Sequence, residues 1–210
     1  MTAGLDAAAI GAVTVPPSLW WRVYSEPHGA VGFNKADRGN ARFSPIKDAK
    51  RKVIPTLYAG STPAVALMET VLHDLPWPSD GYILTMPPPH QELRRLACLV
   101  SPKPLQLADF TALGLRKLGL KKSRIIETDK THYPYSRSVA TWLYEKRPNL
   151  QGILWSSRQD DRGRAIVLFE SRLKKTPIHV WHDGEHIAQS PALDELVELL
   201  DLLGAGVVLG

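Results

Sequence analysis

Apolar and polar positions change period around Tyr58. Thr56-Leu57-Tyr58 is β-prone, Gly60 permits a change of direction, and Ser61 or Thr62 can cap a helix whose first turn accepts Pro63. From Ala64 to Asp74 the apolar residues Val65, Met68, Leu72 and Leu75 recur at three-to-four spacing, which predicts an amphipathic helix. Glu69 stands beside that stripe, one turn after Val65 and one turn before His73. A carboxylate there is either a solvated helix glutamate or a rigid, partly desolvated acid suited to catalysis.

The other elements read in order. Residues 1–17 form a loose lead-in ending in Pro16-Pro17. Trp20-Trp21-Arg22-Val23-Tyr24 is aromatic and β-branched, a strand with an embedded arginine. Loop-like sequence runs from His28 to Asn40, then Arg42 lies between a glycine-bearing turn and Phe43, and residues 46–55 make a basic, exposed insertion. Pro76–Asp80 is a turn, Tyr82–Met86 a strand, and the three prolines 87–89 mark a loop. Short strands follow at Leu96–Val100 and Leu105–Phe110, and a short helix at Ala112–Leu120. Ser136 caps a helix over Arg137–Lys146 that turns Val139, Trp142 and Leu143 inward. Gln151–Trp155 and Ala165–Glu170 are strands, and Ile178–Ile187 reads as a hairpin about Asp183-Gly184. A last helix carries Leu193, Leu196, Val197, Leu200 and Leu203 and stops at Gly204. No repeat and no long linker divides the chain. Many short strands mixed with about four helices predict a single α+β domain.

Composition narrows the function. The 210 residues suffice for a real core, with 44% hydrophobic and 22% charged residues. The single cysteine, Cys98, excludes an intramolecular disulfide and a cysteine metal cluster, and favours a reducing compartment. The N-terminal segment lacks a basic start and no run can span a bilayer, so the expectation is a cytoplasmic protein. The net charge is +5, with basic clusters at Lys47–Lys52, Lys121–Arg124 and Arg172–Lys175. These could meet nucleic acid or another phosphate-bearing or acidic partner, but none is interleaved with aromatics, and loop solubility is the better account of them. The chain has no dinucleotide fingerprint, no phosphate loop and no Gly-x-Ser-x-Gly elbow. His179, His182 and His186 lie close in sequence, but on a tight hairpin they fall on differing faces, so no metal site is expected.

What remains is Arg22 or Arg42, Tyr58, Glu69, and Ser156 or Ser157. The order Trp21-Arg22-Val23-Tyr24, Ala41-Arg42-Phe43, Leu57-Tyr58-Ala59, Ala66-Leu67-Met68-Glu69 and Gly152-Ile153-Leu154-Trp155-Ser156-Ser157-Arg158 resembles the RES domain. That family is named for an Arg, a Glu and a Ser. The resemblance covers roughly Leu19 to His182, and implies a RES domain over 18–190 with a C-terminal helix and tail, 191–210, packed on it.

The resemblance implies a fold like that of ADP-ribosyltransferases, a split pair of β-sheets with flanking helices and a cleft for NAD. It implies the toxin of a toxin–antitoxin pair, silenced by a helix-turn-helix antitoxin, with nucleic acid reached only through that partner. Members degrade NAD by hydrolysis or phosphorolysis, with water or inorganic phosphate as acceptor, and some transfer ADP-ribose to a protein. A basic nucleic-acid-binding or RNA-cleaving module is the alternative of another class. Residue by residue, the family arginine falls on Arg42, a second arginine on Arg22, the strand-end tyrosine on Tyr58, the helix glutamate on Glu69 and the serine on Ser157, with Ser156 one residue off. Glu69 would then steady the cationic sugar that forms as nicotinamide leaves, and the arginines would grip the diphosphate. Tyr58 would stack on nicotinamide, and Ser157 would hold the ribose or amide. No metal is required, because nicotinamide leaves as a neutral molecule.

Overall fold

The computed structural model describes Thr2 and residues 4–76, 78–88 and 90–210. Trp77 of the expected turn, Pro89 of the proline loop, and Met1 and Ala3 of the lead-in lie outside the described residues. In chain order the strands and helices are β1 (Ala12–Val15), β2 (Ser18–Ser25), β3 (Ile46–Lys47), β4 (Val53–Ile54), β5 (Thr56–Gly60), α1 (Pro63–Met68), β6 (Ile83–Met86), β7 (Arg94–Ser101) and β8 (Leu105–Asp109). Then come α2 (Ala112–Lys117), α3 (Lys122–Ile125), α4 (Tyr133–Lys146), β9 (Gly152–Ser156), β10 (Arg164–Phe169), β11 (His179–His186), α5 (Ala192–Leu202) and β12 (Gly206–Leu209). The fold is α+β, as expected.

Eight strands form one sheet in the order β1-β8-β9-β10-β5-β2-β7-β11. The ladder is not uniform. β10 and β5 pair over five residues and β2 and β7 over eight, but β5 and β2 meet only at Trp21 and Gly60. The sheet is thus split into a five-strand and a three-strand ladder joined at one residue pair. Beyond that pair, β2 and β5 diverge and leave a wedge between them.

Side-chain alternation along β5 builds both faces. Leu57 and Ala59 enter a cluster with Trp20, Leu99, Leu107 and Ile166, while Tyr58 turns to the opposite cluster beside Phe43, Phe110 and Trp155. A third cluster lies where α1 and α5 meet β7, around Leu67, Leu72, Leu96, Leu196 and Leu200. The α1 start follows the expected chemistry. Thr62 Oγ1 accepts from the Val65 N–H at 3.1 Å, and Pro63 fills the first turn. Gly60 serves close approach: a Cβ there would lie 2.7 Å from Val65 Cγ1 and 2.9 Å from the Ala66 nitrogen. Absence of that atom lets α1 pack against the end of β5.

Several expectations need correction. The helix expected over Ala64–Asp74 ends at Met68, and Glu69 is its C-cap. The next stretch is a series of turns, which still buries Leu72 because the Leu67 carbonyl accepts from the Thr70, Val71 and Leu72 N–H groups. The lead-in is not loose throughout, since β1 lies in it and pairs with β8 as an outer strand. Residues 46–55 are exposed only at their tip. β3 and β4 form a small hairpin that buries Ile46 and Ile54, an apolar anchor at each end of the basic run. Ser136 is no cap. α4 starts at Tyr133 with Pro134 in its first turn, and the buried Ser136 hydroxyl donates to the Ile125 carbonyl.

The hairpin expected over Ile178–Ile187 is a single irregular strand, β11, along β7. Gly184 has the positive φ expected of it, 73°, but spends it on a break in register rather than a turn. A Cβ there would strike the Leu96 carbonyl. The α5 stripe is rotated from the expected one. Ala192, Leu196 and Leu200 are buried, while Val197 stays exposed. The C-terminal tail adds β12, parallel to β6. Among the described residues no helix is long and apolar enough to cross a membrane.

Candidate active site

The wedge between β2 and β5 is the mouth of a cleft of about 470 Å³, ample for a small organic ligand. Arg22 and Val23 of β2, Tyr58 and Ala59 of β5, and Glu69 at the end of α1 line it, with Arg42 from the loop before β3. The structure therefore brings Arg22, Arg42, Tyr58 and Glu69 together, although they come from four separate segments.

Glu69 is half-buried and rigidly held. Its Oε1 accepts from the Ser157 hydroxyl at 2.7 Å and from the Arg158 backbone N–H at 2.9 Å. Among the described residues nothing hydrogen-bonds its other oxygen, Oε2. Ser157 is fully buried after β9, and its oxygen also accepts from the N–H groups of Gln159 and Asp160 at 3.1 Å. That turn is the serine-based motif in which a hydroxyl replaces a backbone acceptor. The hydroxyl is wholly engaged inside the protein and Ser157 does not line the cleft. The expectation that Ser157 holds substrate is corrected by this geometry: its contact is with the acid. Ser156 pairs with Arg164 across β9 and β10 and makes no side-chain hydrogen bond among those found in the described residues.

Arg42 is 5% exposed. Its Nη1 donates to the Ile125 carbonyl at 3.1 Å and, at the limit of bonding, to that of Thr128 at 3.5 Å. Its Nη2 has no acceptor among the described residues. The guanidinium carbon sits 4.8 Å from the centroid of the Tyr133 ring, a cation–π contact. Burial lowers the Arg42 pKa from its usual value, and the electrostatic influence of Tyr133 and Glu69 works against that. Arg22 donates to the Ala30 carbonyl at 2.6 Å. Burial brings its pKa down to about 10, still charged at neutral pH. Among the described residues no carboxylate pairs with Arg22.

Tyr58 is half-buried, edge-on to Trp155 with ring centroids 6.1 Å apart. Its hydroxyl accepts the Phe43 N–H at 3.0 Å, which ties the loop carrying Arg42 to β5. Burial pushes its pKa up to about 12, opposed by hydrogen bonds from Ser44 and Phe43 and by the Arg42 charge. The phenol is therefore neutral at any physiological pH, and its proton remains available to donate.

Among the further lining residues that sequence reasoning missed are His73, Asp74, Lys130 and Tyr133. His73 carried a signal, since it lies one turn beyond Glu69. Tyr133 and Lys130 carried none, because only the fold brings residues 130–133 next to residue 73. Elsewhere the described residues hold no group of three His, Cys, Asp or Glu side chains able to bind a metal ion, and His179, His182 and His186 lie along β11. The basic clusters are partly neutralised: Lys47 pairs with Asp37 and Lys122 with Glu127 at 2.9 Å.

A family model described as the RES domain matches residues 19–188. The chain belongs to the RES domain family. The matched span runs from the start of β2 through β11, and so includes all the residues that wall the cleft. RES domains are known as toxin-associated domains. No curated protein matches the chain.

Proposed function

We propose that this RES domain is the toxin of a toxin–antitoxin pair and that it cleaves the bond between nicotinamide and ribose in NAD. One observation carries the reading. The cleft holds a carboxylate with one oxygen fixed by two donors and the other unbonded among the described residues, facing the same space as the buried Arg42 guanidinium and the partly buried one of Arg22. Cleavage of the glycosidic bond sends its electron pair to the ring nitrogen, and nicotinamide leaves neutral. The positive charge that grows on the ribose is what Glu69 stabilises. Water or phosphate then attacks the anomeric carbon, giving ADP-ribose or its 1-phosphate. When water is the acceptor, its proton passes to Glu69 or to solvent.

The substrate's diphosphate supplies acceptors that the cleft lacks. Arg42 Nη2 is a buried donor without an acceptor among the described residues, a state that costs about 1–3 kcal/mol. A small shift of the guanidinium toward the cleft would bring Nη2 to a phosphate oxygen and relieve that cost, and Arg22 adds a second charge. Tyr58 offers the nicotinamide an edge of its ring and a hydroxyl. An antitoxin of helix-turn-helix type would silence the enzyme by covering this mouth, and the expected site of action is the cytoplasm.

The test is incubation of the purified protein with NAD, with and without phosphate, and identification of the products. Free nicotinamide with ADP-ribose or ADP-ribose 1-phosphate supports the reading. Label appearing on a protein acceptor instead identifies a mono-ADP-ribosyltransferase using the same site. Glu69→Gln, which keeps the size and loses the charge, lowers kcat at least about a hundredfold, the order expected when a fixed charge at a developing cation is removed. NAD left intact by the wild type refutes the reading.

A further inference from the structure

A polar chain runs along the cleft wall beside the residues discussed so far, and each of its links is made. Tyr133, at the start of α4, is 1% exposed and presents its ring face to the Arg42 guanidinium. Its hydroxyl lies 3.0 Å from Nε2 of His73. Nδ1 of His73 lies 2.8 Å from Oδ1 of Asp74, and the other Asp74 oxygen holds the ammonium of Lys130. Lys130 and His73 together keep the Asp74 carboxyl below its usual range, so it is ionised and can only accept. The proton of His73 therefore sits on Nδ1. In the neutral imidazole Nε2 is then the acceptor, and the Tyr133 hydroxyl donates to it.

Arg42 needs such support. Its protein partners are two carbonyls, both on Nη1, and no carboxylate holds it among the described residues. Two contacts at one nitrogen leave the guanidinium free to tilt about that end. The Tyr133 ring restrains the tilt, and one hydrogen bond, to His73, sets the place of the Tyr133 hydroxyl. Gln159 Nε2 in turn donates to the His73 carbonyl at 3.2 Å, from the same turn in which Ser157 holds Glu69. The acid and the arginine are thus aligned from one scaffold.

We propose that His73 is a positioning residue for Arg42, acting through Tyr133, and so sets affinity for the diphosphate of the substrate. This rests on Arg42 being the diphosphate clamp. His73 touches no reacting atom. Its loss lets the guanidinium plane tilt and moves the Nη2 that remains for the diphosphate.

The experiment uses the full chain carrying His73→Ala, His73→Gln or Tyr133→Phe. It measures kcat and KM for NAD, and calorimetric Kd for ADP-ribose, which has the diphosphate, and for nicotinamide, which lacks it. For His73→Ala, the KM for NAD and the Kd for ADP-ribose rise about tenfold, the value of one hydrogen bond. kcat stays within about twofold, because the Glu69 contacts are untouched, and the Kd for nicotinamide does not move. Tyr133→Phe keeps the ring and gives the same split, so it decides the matter if the alanine variant fails to fold. His73→Gln, whose amide reaches the phenol, recovers part of the loss. An unchanged Kd for ADP-ribose in both His73→Ala and Tyr133→Phe overturns the proposal. So does a fall in kcat at constant KM, or a loss shared equally by nicotinamide. A wild-type protein that neither cleaves NAD nor binds ADP-ribose instead refutes the reading of the site beneath it.

Discussion

Replacing Ser157 by alanine separates two roles. If the hydroxyl holds substrate, alanine weakens binding and leaves the fold alone. If it holds Glu69, as the geometry has it, the fold and the chemistry both suffer. The hydroxyl donates 2.7 Å to a carboxylate and accepts from two backbone N–H groups, and Ser157 itself has zero exposure. A hydrogen bond to a charged group is worth about 1.5–3 kcal/mol, and the abandoned N–H groups add to the loss. Stability should fall by about 2–4 kcal/mol, a drop in Tm of about 5–10 °C for a chain of this size. Glu69 keeps only the Arg158 N–H, so its carboxylate swings. On the proposed cleavage of NAD, that lowers kcat about 10–100-fold, while KM changes little. Calorimetric melting and steady-state kinetics on the same preparation give both numbers. An unchanged Tm with a raised KM would refute the reasoning and return Ser157 to the substrate.

Other expected outcomes follow from separate observations. Gly60→Ala places a methyl 2.7 Å from Val65 Cγ1, so α1 must shift; overpacking of this kind costs about 1–3 kcal/mol, read as a lower Tm, and displaces Glu69 enough to lower kcat. Thr62→Ala removes the side-chain cap of α1 and costs about 1 kcal/mol, measured by urea unfolding. Burial raises the pKa of both Tyr24 and Tyr58 to about 12, with an added push on Tyr24 from its bond to Asp183. Both folded values lie above the value of about 10 for an unfolded chain. The folded state therefore prefers the neutral phenols, and this stabilisation is complete below pH 10 and lost as pH rises towards 12. Tm measured from pH 9 to 11.5 should fall across that window, and less steeply in Tyr58→Phe.

Local order was legible where side chains act on their own neighbours. The cap at Thr62, the strand alternation at 56–60 and the apolar positions Val65, Met68 and Leu72 needed no tertiary information. The mistakes came where two local structures share one pattern. A glycine with positive φ suits a hairpin turn or a break in register, and at Gly184 the length of β7 decided, since it pairs with β11 on both sides of the glycine. Three-to-four spacing over 65–75 fits a continuous helix or a short helix followed by turns folded on the same core. The second holds here, and it puts Glu69 at the helix end, where its carboxylate can reach the turn after β9. For the candidate site, residue types, their order and the family resemblance pointed to Arg22 or Arg42, Tyr58 and Glu69, all four of which the fold brings to one cleft. They could not assign the serine its contact, because a buried serine and a substrate-facing one read alike. Nor could they reveal Tyr133, whose partner His73 is 60 residues away.

Gly60 shows why the cleft lies where it does. It is the residue of β5 that pairs with β2, and the residue against which α1 packs. Both roles fall at the one place where the five-strand and three-strand ladders touch. A side chain there would push α1 outward, and Glu69 rides on the end of α1. The same backbone pair fixes the point from which β2 and β5 diverge; Arg22 and Ala59 are the residues next along that divergence, with Tyr58 one further along β5. The opening, the acid and one of the two cations are therefore placed by a single contact. Gly60→Ala should change the spacing of Glu69 from Arg22 before it unfolds the protein. Loss of kcat at temperatures well below the lowered Tm is the sign that tells this from simple destabilisation. Full activity until melting would show that the site is held by Ser157 and Arg158 alone.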